Sequence, residues 1–262
     1  MTKLMIGLLL PFGILAATHA QANTLQDIQK TKVLKVCMWP DYFGISYRNP
    51  RSGALQGLDI HLSRDFAQEM GVKLQYVETT FASVVADVES RKCHIAMMGV
   101  GVIPSRAERV DFSAPYLRSD VIAVTSKSNT AIKTWDDLDR PGHVVSVLKG
   151  TFMEPLMLKT MKQAAVHIAE RTGERERDVE SGRTDAFMTD YPYAQRIMAN
   201  ADWARIIPPT RPIQPTDYAY AVTKGETAWL ARVNGFLEKT KKDGRLEKYA
   251  AEFNLQQIVV KD

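Results

Sequence analysis

Arg106 ends a glycine-containing segment whose residue types suit the binding of a carboxylate. The segment begins at Met98, contains Gly99 and Gly101, and follows a run of apolar residues. Glycines let a ligand approach backbone N–H groups closely, and the start of a helix favours an anion. An arginine can hold a carboxylate with two parallel hydrogen bonds. An ion pair within the protein would explain Arg106, taken alone, equally well.

Two later segments repeat this order of strand, polar residue and helix start. Gly150 and Thr151 follow one apolar run, where Thr151 could contact an anion or cap a helix. Asp190 follows another, where its carboxylate could receive an ammonium group or cap a helix. Together, the three segments predict a binding site for a small zwitterion.

Motifs of known catalytic and metal sites are absent from the sequence. It contains no C-x-x-C, H-E-x-x-H, G-x-S-x-G or Walker loop, and its histidines lack the spacing of metal ligands. The formal net charge is +4 and the charges are well mixed, which gives no reason to expect nucleic-acid binding. We therefore expect no catalytic residue, no metal and no cofactor.

Alternating strands and helices must position the three segments. The first half contains three predicted strands, at Val33–Met38, Lys73–Val77 and His94–Val100. Between them, one helix is predicted to be capped by Asp59 and to end at Gly71, and a second carries the apolar stripe from Phe81 to Val88. This βαβαβ order predicts a parallel sheet with right-handed crossovers.

A second α/β series follows without a flexible linker, which predicts a second lobe. Its predicted strands are Val121–Thr125, Val144–Leu148 and Ala186–Thr189, and its predicted helices are Glu154–Lys162 and Gly173–Ser181. The C-terminal tail is predicted to be helical. Ligands of open parallel sheets bind at the carboxyl ends of the strands, so we place the site in the cleft between the lobes.

The first 22 residues have the layout of a secretory signal peptide. Lys3 precedes an apolar run from Leu4 to Ala17, and Ala20-Gln21-Ala22 fits a cleavage site after Ala22, with Ala20 as the alternative. The run is short for a membrane span, and a buried N-terminal helix is the competing interpretation. The pattern predicts export, with residues 1–22 removed.

The two cysteines, Cys37 and Cys93, raise the question of a disulfide, which export would permit. Cys37 lies near the end of one predicted parallel strand and Cys93 just before the start of another. On neighbouring parallel strands they would lie several residues out of step, beyond disulfide reach. We therefore favour two separate buried thiols, and a disulfide remains the alternative.

From Val33 to Phe253 the sequence resembles the family 3 solute-binding proteins, which are the polar amino-acid receptors of ABC importers. The motifs that carry the resemblance are Gly57-Leu58-Asp59-Ile60, Pro104-Ser105-Arg106-Ala107-Glu108-Arg109-Val110-Asp111-Phe112-Ser113-Ala114-Pro115-Tyr116, Lys149-Gly150-Thr151, Ser181-Gly182-Arg183-Thr184-Asp185-Ala186, and Lys224-Gly225 with Val233-Asn234.

This resemblance implies an α/β, type II periplasmic-binding-protein fold, in which each of two lobes is a mostly parallel sheet flanked by helices. Residues 23–122 and 218–262 would form the first lobe, and residues 123–217 the second. Two crossover strands, near Asp120–Ala123 and Asp217–Ala221, would act as the hinge.

The resemblance also implies roles for individual residues. Arg106 and, from the other lobe, Thr151 match positions that bind the ligand carboxylate. Asp190 matches the acid that receives the ammonium group, and Gly99 matches a backbone carbonyl that also serves it. Gly101 departs from the family, which often has Thr or Ser there, so one side-chain contact is missing.

The predicted pocket wall is richer in aromatic and apolar residues than the wall of the family's glutamine or glutamate binders. Its members are Trp39, Tyr42, Phe81, Met98 and Phe152. As a hypothesis, the ligand side chain is apolar, aromatic, or a cation resting on ring faces.

The resemblance implies a monomeric periplasmic receptor that captures an amino-acid-like solute and delivers it to an ABC permease in the inner membrane. The same scaffold resembles cyclohexadienyl dehydratases, which are enzymes and need a general acid in the cleft. Tyr191-Pro192-Tyr193, directly after Asp190, offers no carboxylate for that role. We therefore predict a non-enzyme, and keep the dehydratase and a ligand sensor for a membrane partner as alternatives.

Overall fold

The computed structural model describes residues 23–261, so the predicted signal peptide, residues 1–22, lies outside the described residues. The described chain forms two larger sheets flanked by helices, and a small three-stranded sheet. We call the part built on the first sheet lobe 1 and the part built on the second sheet lobe 2.

Lobe 1 is built from two separate stretches of the chain. The first comprises α1 Thr24–Thr31, β1 Val33–Met38, β2 Asp41–Tyr42, β3 Ser46–Arg48, β4 Leu55–Gln56, α2 Leu58–Met70, β5 Lys73–Glu78, α3 Val84–Glu89, β6 Ile95–Gly101, α4 Pro104–Ala107, β7 Val110–Phe112 and β8 Leu117–Ser119.

Lobe 2 follows directly in the chain. It comprises β9 Ile122–Ser126, a 3₁₀ turn at Trp135–Asp137, β10 Val144–Leu148, α5 Met153–Thr160, β11 Ala165–Ala169, α6 Glu174–Glu180, β12 Ala186–Thr189, α7 Tyr191–Asn200 and β13 Ala204–Ile207. The chain then returns to lobe 1 with β14 Thr216–Thr223, α8 Thr227–Lys242, α9 Arg245–Glu252 and a 3₁₀ turn at Gln256–Ile258.

In each large sheet, three parallel strands lie at one side, and the next strand runs antiparallel to them. In lobe 1 the order is β5-β1-β6-β14-β7, with β8 paired to β14; β1 is parallel to β5 and β6, whereas β14 is antiparallel to β6. In lobe 2 the order is β11-β10-β12-β9-β13, and β9 runs antiparallel to β12 and β13. The chain thus passes between the lobes twice, before β9 and before β14. The predicted lobe boundaries near these passages stay a prediction.

The strands β1, β10 and β12 have the bounds expected from the sequence, and two local expectations are wrong. Asp59 does not cap α2, because the helix already begins at Leu58 after Gly57, which leaves Asp59 buried in the first turn. Phe81 does not belong to α3, which begins at Val84; it lies in the turn before that helix.

The prediction of two separate thiols is also wrong, because Cys37 and Cys93 form a disulfide. In the parallel pairing of β1 with β6, Cys37 lies opposite Ala96, three residues after Cys93, as the prediction assumed. However, Cys93 is not a straight extension of β6. It lies in a bend after Arg91, whose φ is +58°, and this bend brings its Cα within 5.6 Å of the Cα of Cys37.

The core of lobe 1 packs helices α2 and α8 against each other through aromatic rings. Phe66 stacks on Trp229 and Phe236, with ring centroids 5.6 and 4.5 Å away, and the indole N–H of Trp229 donates to the carbonyl of His94 at 2.9 Å. These contacts hold α2 and α8 against the lobe 1 sheet, and the strand ends of that sheet face the cleft. Within residues 23–261, no helix has both the length and the apolar character needed to cross a membrane.

Candidate functional site

A cavity lies between the two lobes. Lobe 1 lines it with Trp39, Tyr42, Phe81, Gly99, Gly101, Arg106 and Tyr218, and lobe 2 with Leu148, Thr151, Phe152, Met153, Arg175, Thr189, Asp190 and Tyr193. Strand ends and helix starts therefore meet where the sequence placed the cleft.

The structure brings together every predicted ligand-binding residue except Met98. Gly99 and Gly101 face the cavity from β6, and because side chains alternate along a strand, Met98 points to the opposite face. Its side chain is fully buried in the core of lobe 1. Met98 is thus a core residue that does not line the cavity, and its predicted place in the pocket wall is wrong.

Arg106 is a buried cation whose hydrogen bonds go to the main chain. Its Nη1 donates to the carbonyl of Gly101 at 2.8 Å, and its Nη2 donates across the cleft to the carbonyl of Gly150 at 2.7 Å. Burial lowers the pKa of Arg106 to about 10, so the guanidinium is still charged at neutral pH. No carboxylate among residues 23–261 forms an ion pair with it, and the sequence-level alternative of an internal salt bridge is therefore wrong.

Asp190 stands on the opposite lobe and is held by donors from both lobes. One carboxylate oxygen, Oδ1, accepts the N–H of Tyr193 at 3.2 Å, which makes Asp190 the N-cap of α7. The other, Oδ2, accepts the hydroxyl groups of Tyr42 and Tyr218 from lobe 1. Burial raises the pKa of Asp190, and these hydrogen bonds oppose the rise.

Thr151 lines the cavity but does not cap the following helix. The hydroxyl of Thr151 donates to the carbonyl of Leu148 at 2.7 Å, and α5 begins after Phe152 with no side-chain cap. The hydroxyl hydrogen of Thr151 therefore points to the main chain. The side chain would have to rotate before this hydroxyl could donate to a ligand carboxylate.

Six aromatic residues line the cavity. Trp39, Tyr42 and Phe81 are mutually in contact, with centroids 5.2 to 5.6 Å apart. Tyr193 of lobe 2 stacks on Trp39 at 6.3 Å and 11°, and Phe152 meets the ring of Tyr218 at 6.3 Å. The predicted aromatic wall thus continues from one lobe to the other.

A comparison with protein families decides what kind of protein this is. The model of the bacterial extracellular solute-binding proteins, family 3, matches residues 34–256. The chain belongs to this family. The predicted family is therefore confirmed, and this family 3 protein has a solute-binding role.

Similar proteins include both binding proteins and an enzyme. The cyclohexadienyl dehydratase of Pseudomonas aeruginosa is 27% identical over 88% of this chain and 86% of its own length. The crystal structure of an ancestral amino acid-binding protein, a precursor of cyclohexadienyl dehydratase, is 31% identical with a TM-score of 0.81, and the match covers 88% of this chain and 99% of that one.

The third similar protein is an amino acid ABC transporter substrate-binding protein from Streptococcus pneumoniae, solved with bound L-arginine. It is 26% identical with a TM-score of 0.80, and the match covers 88% of this chain and 98% of that one. Such neighbours confirm the predicted two-lobed, type II periplasmic-binding-protein fold for this family 3 protein.

Sequence reasoning missed six residues that line the cavity of the family 3 protein. They are Leu148, Met153, Arg175, Thr189, Tyr193 and Tyr218. Leu148 and Thr189 end strands β10 and β12, so their place next to Thr151 and Asp190 was available from the strand-end argument. Nothing in the sequence marked Arg175, which belongs to a charged run that looks like a solvated helix face.

His167, Glu174 and Asp178 lie together in lobe 2, outside the cavity lining, with ligand atoms within 4.8 Å of one another. No motif in the sequence indicated this grouping. Asp178 is already paired with Arg183, and Glu174 accepts the N–H groups of Glu170 and Arg171. These internal partners account for both carboxylates without a metal ion.

Proposed function

We propose that this family 3 protein binds an amino acid or an amino-acid-like solute between its lobes and delivers it to an ABC importer. The observation that carries the proposal is the pairing of opposite charges across one cavity: the unpaired cation Arg106 on lobe 1 and the carboxylate Asp190 on lobe 2. A zwitterionic head group needs both. The arginine-bound binding protein from S. pneumoniae supports the same ligand class.

In this proposal Arg106 binds the ligand carboxylate. An arginine side chain has five N–H donors, and the hydrogen bonds to Gly101 and Gly150 leave others for a ligand. Gly101 has no side chain to contribute, and Thr151 adds its hydroxyl by rotating away from Leu148. Gly101 also leaves room for two neighbouring side chains, since a Cβ there would lie 3.2 Å from carbon atoms of Phe152 and Thr216.

Asp190 and the carbonyl of Gly99 receive the ammonium group. Because Arg106 and Asp190 lie on different lobes, only the closed arrangement presents both to one ligand. The two passages between the lobes, before β9 and before β14, are the hinge in this proposal, and closure around the ligand is the motion expected of this scaffold.

The proposal also includes export and a partner. Removal of residues 1–22 would release the protein into the periplasm, which agrees with the extracellular character of the family. The closed form would then dock, as a monomer, on a permease in the inner membrane.

A thermal-shift screen against amino acids and related small acids tests the function, because a ligand stabilises the folded state by mass action. Calorimetry with the best hit then compares Arg106→Ala and Asp190→Ala with the wild type. Truncating one partner of a buried charged contact costs 2–5 kcal/mol, so each variant should lose at least about 30-fold in affinity.

Matched controls are Arg109→Ala, an exposed arginine of the same segment, and Asp202→Ala, an exposed aspartate of lobe 2. Both should keep wild-type affinity. Unchanged affinity in Arg106→Ala and Asp190→Ala, with folding intact, would contradict the proposed site.

One observation favours a second candidate function, namely the similarity to the dehydratase of P. aeruginosa. Against it, Asp190 is the one carboxylate among the described residues that line the cavity, and it is fixed by two tyrosine hydroxyls and a helix N-terminus. We propose that the protein is not an enzyme. Incubation with prephenate should give no phenylpyruvate absorbance, and its appearance would establish the dehydratase instead.

A further inference from the structure

We infer that the cavity selects a ligand with an uncharged aromatic side chain and rejects a cationic one. This inference rests on the proposed function, because it assumes that Arg106 and Asp190 bind the head group. It narrows the three side-chain classes that the sequence left open, and it differs from the L-arginine seen in the S. pneumoniae neighbour.

Two of the six aromatic rings that line the cavity, those of Phe81 and Tyr193, already lie close to cations of the protein. The guanidinium carbon of Arg106 lies 5.9 Å from the centroid of Phe81, and that of Arg175 lies 4.8 Å from the centroid of Tyr193. Arg196 approaches Tyr193 as well, at 5.5 Å. Cation–π attraction acts within about 6 Å of a ring centroid, so a ligand cation on these rings would meet a like charge at close range.

The cavity also lacks an acidic partner for a cationic side chain. Two guanidinium groups, Arg106 and Arg175, line it, and Asp190 is the single carboxylate that does so within residues 23–261. Asp190 already accepts three protein donors and is assigned to the ligand ammonium. A second ligand cation would be buried without a counter-charge, which is strongly unfavourable.

An acidic side chain is a poor fit because the charge of Arg175 is already balanced. Its Nη2 lies 3.6 Å from a carboxylate oxygen of Glu176, which does not line the cavity, and its Nη1 donates to the carbonyl of Met188 at 2.7 Å. A ligand carboxylate would have to compete with Glu176. The buried Nε of Arg175 has no hydrogen-bond partner. A neutral oxygen, such as that of a phenol, could accept a hydrogen bond from this N–H without adding a charge.

The rest of the wall is apolar and suits a flat ring. Trp39 and Phe152 face the cavity together with Leu148 and Met153. Aromatic side chains bury a large apolar area and gain further from edge or offset contacts with other rings. An aromatic amino acid therefore satisfies the head-group charges and matches the apolar character of this part of the wall.

Calorimetry on the mature protein with a fixed panel tests the inference. The panel is L-phenylalanine, L-tyrosine and L-tryptophan against L-arginine, L-lysine and L-glutamate. Because like-charge contacts in an interface cost several kcal/mol, we expect the best aromatic ligand to bind at least about 100-fold more tightly than either cationic one. Binding of arginine, lysine or glutamate as tight as that of the best aromatic ligand overturns the inference, as does the absence of aromatic binding.

The two levels of the proposal fail differently. If L-arginine or L-lysine binds best, and Arg106→Ala and Asp190→Ala abolish that binding, the proposed function stands and only the side-chain class is wrong. If no amino acid or related small acid binds at all, the proposed function fails with it.

A variant at Arg175 identifies the residue responsible. In Arg175→Gln, the affinity for L-lysine relative to L-phenylalanine should rise at least about tenfold, because a like charge has been removed from the wall. The matched control is Arg177→Gln, on the same helix but outside the cavity lining, which should leave the ratio unchanged. An unchanged ratio in a folded Arg175→Gln protein contradicts the role of Arg175, and the wild-type panel decides the ligand class even if that variant does not fold.

Discussion

At Gly150 the backbone of lobe 2 lies close to that of lobe 1. Its φ is +77°, and a Cβ there would lie 2.3 Å from the backbone nitrogen of Ala82 and 2.6 Å from the carbonyl carbon of Phe81. Its carbonyl accepts Nη2 of Arg106. Any side chain at this position would push the lobes apart where Arg106, which we propose to bind the ligand carboxylate, crosses the cleft.

We therefore predict that Gly150→Ala weakens ligand binding by at least about tenfold, because the closed arrangement must shift by more than a few tenths of an ångström and a left-handed alanine adds about 1–2 kcal/mol. Calorimetry measures the loss. Gly142→Ala is the matched control, since Gly142 has a φ of +85° and nothing within 4 Å of its Cβ position. Equal affinities in the two variants would contradict the predicted effect of the close approach at Gly150.

At the residue scale, the sequence predicted those cavity residues that follow from local patterns of strand ends and helix starts. Strand ends and helix starts located Arg106, Thr151 and Asp190. Side chains alternate along β6, so Gly99 and Met98 lie on opposite faces. The sequence did not reveal which of these faces lines the cavity. Arg175 could not be predicted, because its burial depends on the packing of α6 against β12 and not on its neighbours in the chain.

At the scale of elements, one buried carboxylate ties together four segments of lobe 1. Asp59, in the first turn of α2, accepts the hydroxyls of Tyr116 and Tyr220 at 2.6 and 2.9 Å and the N–H of Gly99 at 3.1 Å. Tyr116 directly precedes β8, and Tyr220 lies in β14. The β6–β14 ladder is irregular between Ala219 and Ala221, opposite the stretch of β6 where Gly99 turns its N–H to Asp59.

Burial raises the pKa of Asp59 to about 7, although its hydrogen bonds oppose the rise. The folded state therefore binds this proton more tightly than the unfolded state, whose aspartates titrate near 3.9. The contribution of Asp59 to stability is complete below that value and is lost as the pH rises through about 7. The loss amounts to roughly 1.4 kcal/mol for each pH unit between the two values.

We predict that Asp59→Asn flattens the fall in the free energy of unfolding between pH 4 and pH 8, although the variant is less stable overall. Denaturant unfolding across that range measures the slope. Burial raises the pKa of Asp190 as well, so part of the slope should remain. Asp202→Asn, at an exposed position, serves as the control with wild-type behaviour, and a slope unchanged in Asp59→Asn would refute the assignment.

Elements were more predictable than the contacts between them. The strands β1, β10 and β12 followed from short β-prone runs, whereas β11 and β13, at partly exposed edges of the lobe 2 sheet, carry a weaker pattern. The cysteine prediction failed for a geometric reason. It extended β6 backwards in a straight line, but the bend after Arg91 folds Cys93 over β1.

At the scale of the whole molecule, the closed arrangement is held by hydrogen bonds that join the lobes. The hydroxyls of Tyr42 and Tyr218 donate to Asp190, and Arg106 donates to the carbonyl of Gly150. These bonds lie inside the cavity, so the groups proposed to bind the ligand also fix the relative position of the lobes. Ligand affinity then depends on the population of the closed form as well as on direct contacts.

The double variant Tyr42→Phe with Tyr218→Phe separates these two contributions. It removes both hydroxyl donors and keeps both rings in the cavity wall. Hydrogen bonds to charged groups are worth about 1.5–3 kcal/mol each, so the closed form should lose stability relative to the open form, and ligand affinity should fall by at least about tenfold. Small-angle scattering should show a larger radius of gyration in the variant than in the wild type.

Tyr249→Phe is the matched control, because it also removes a tyrosine–aspartate hydrogen bond, to Asp65, but one that lies within lobe 1. If both proteins have the wild-type radius and affinity, the tyrosine hydroxyls do not hold the lobes together. If only the affinity falls in the double variant, they position Asp190 for the ligand without shifting closure.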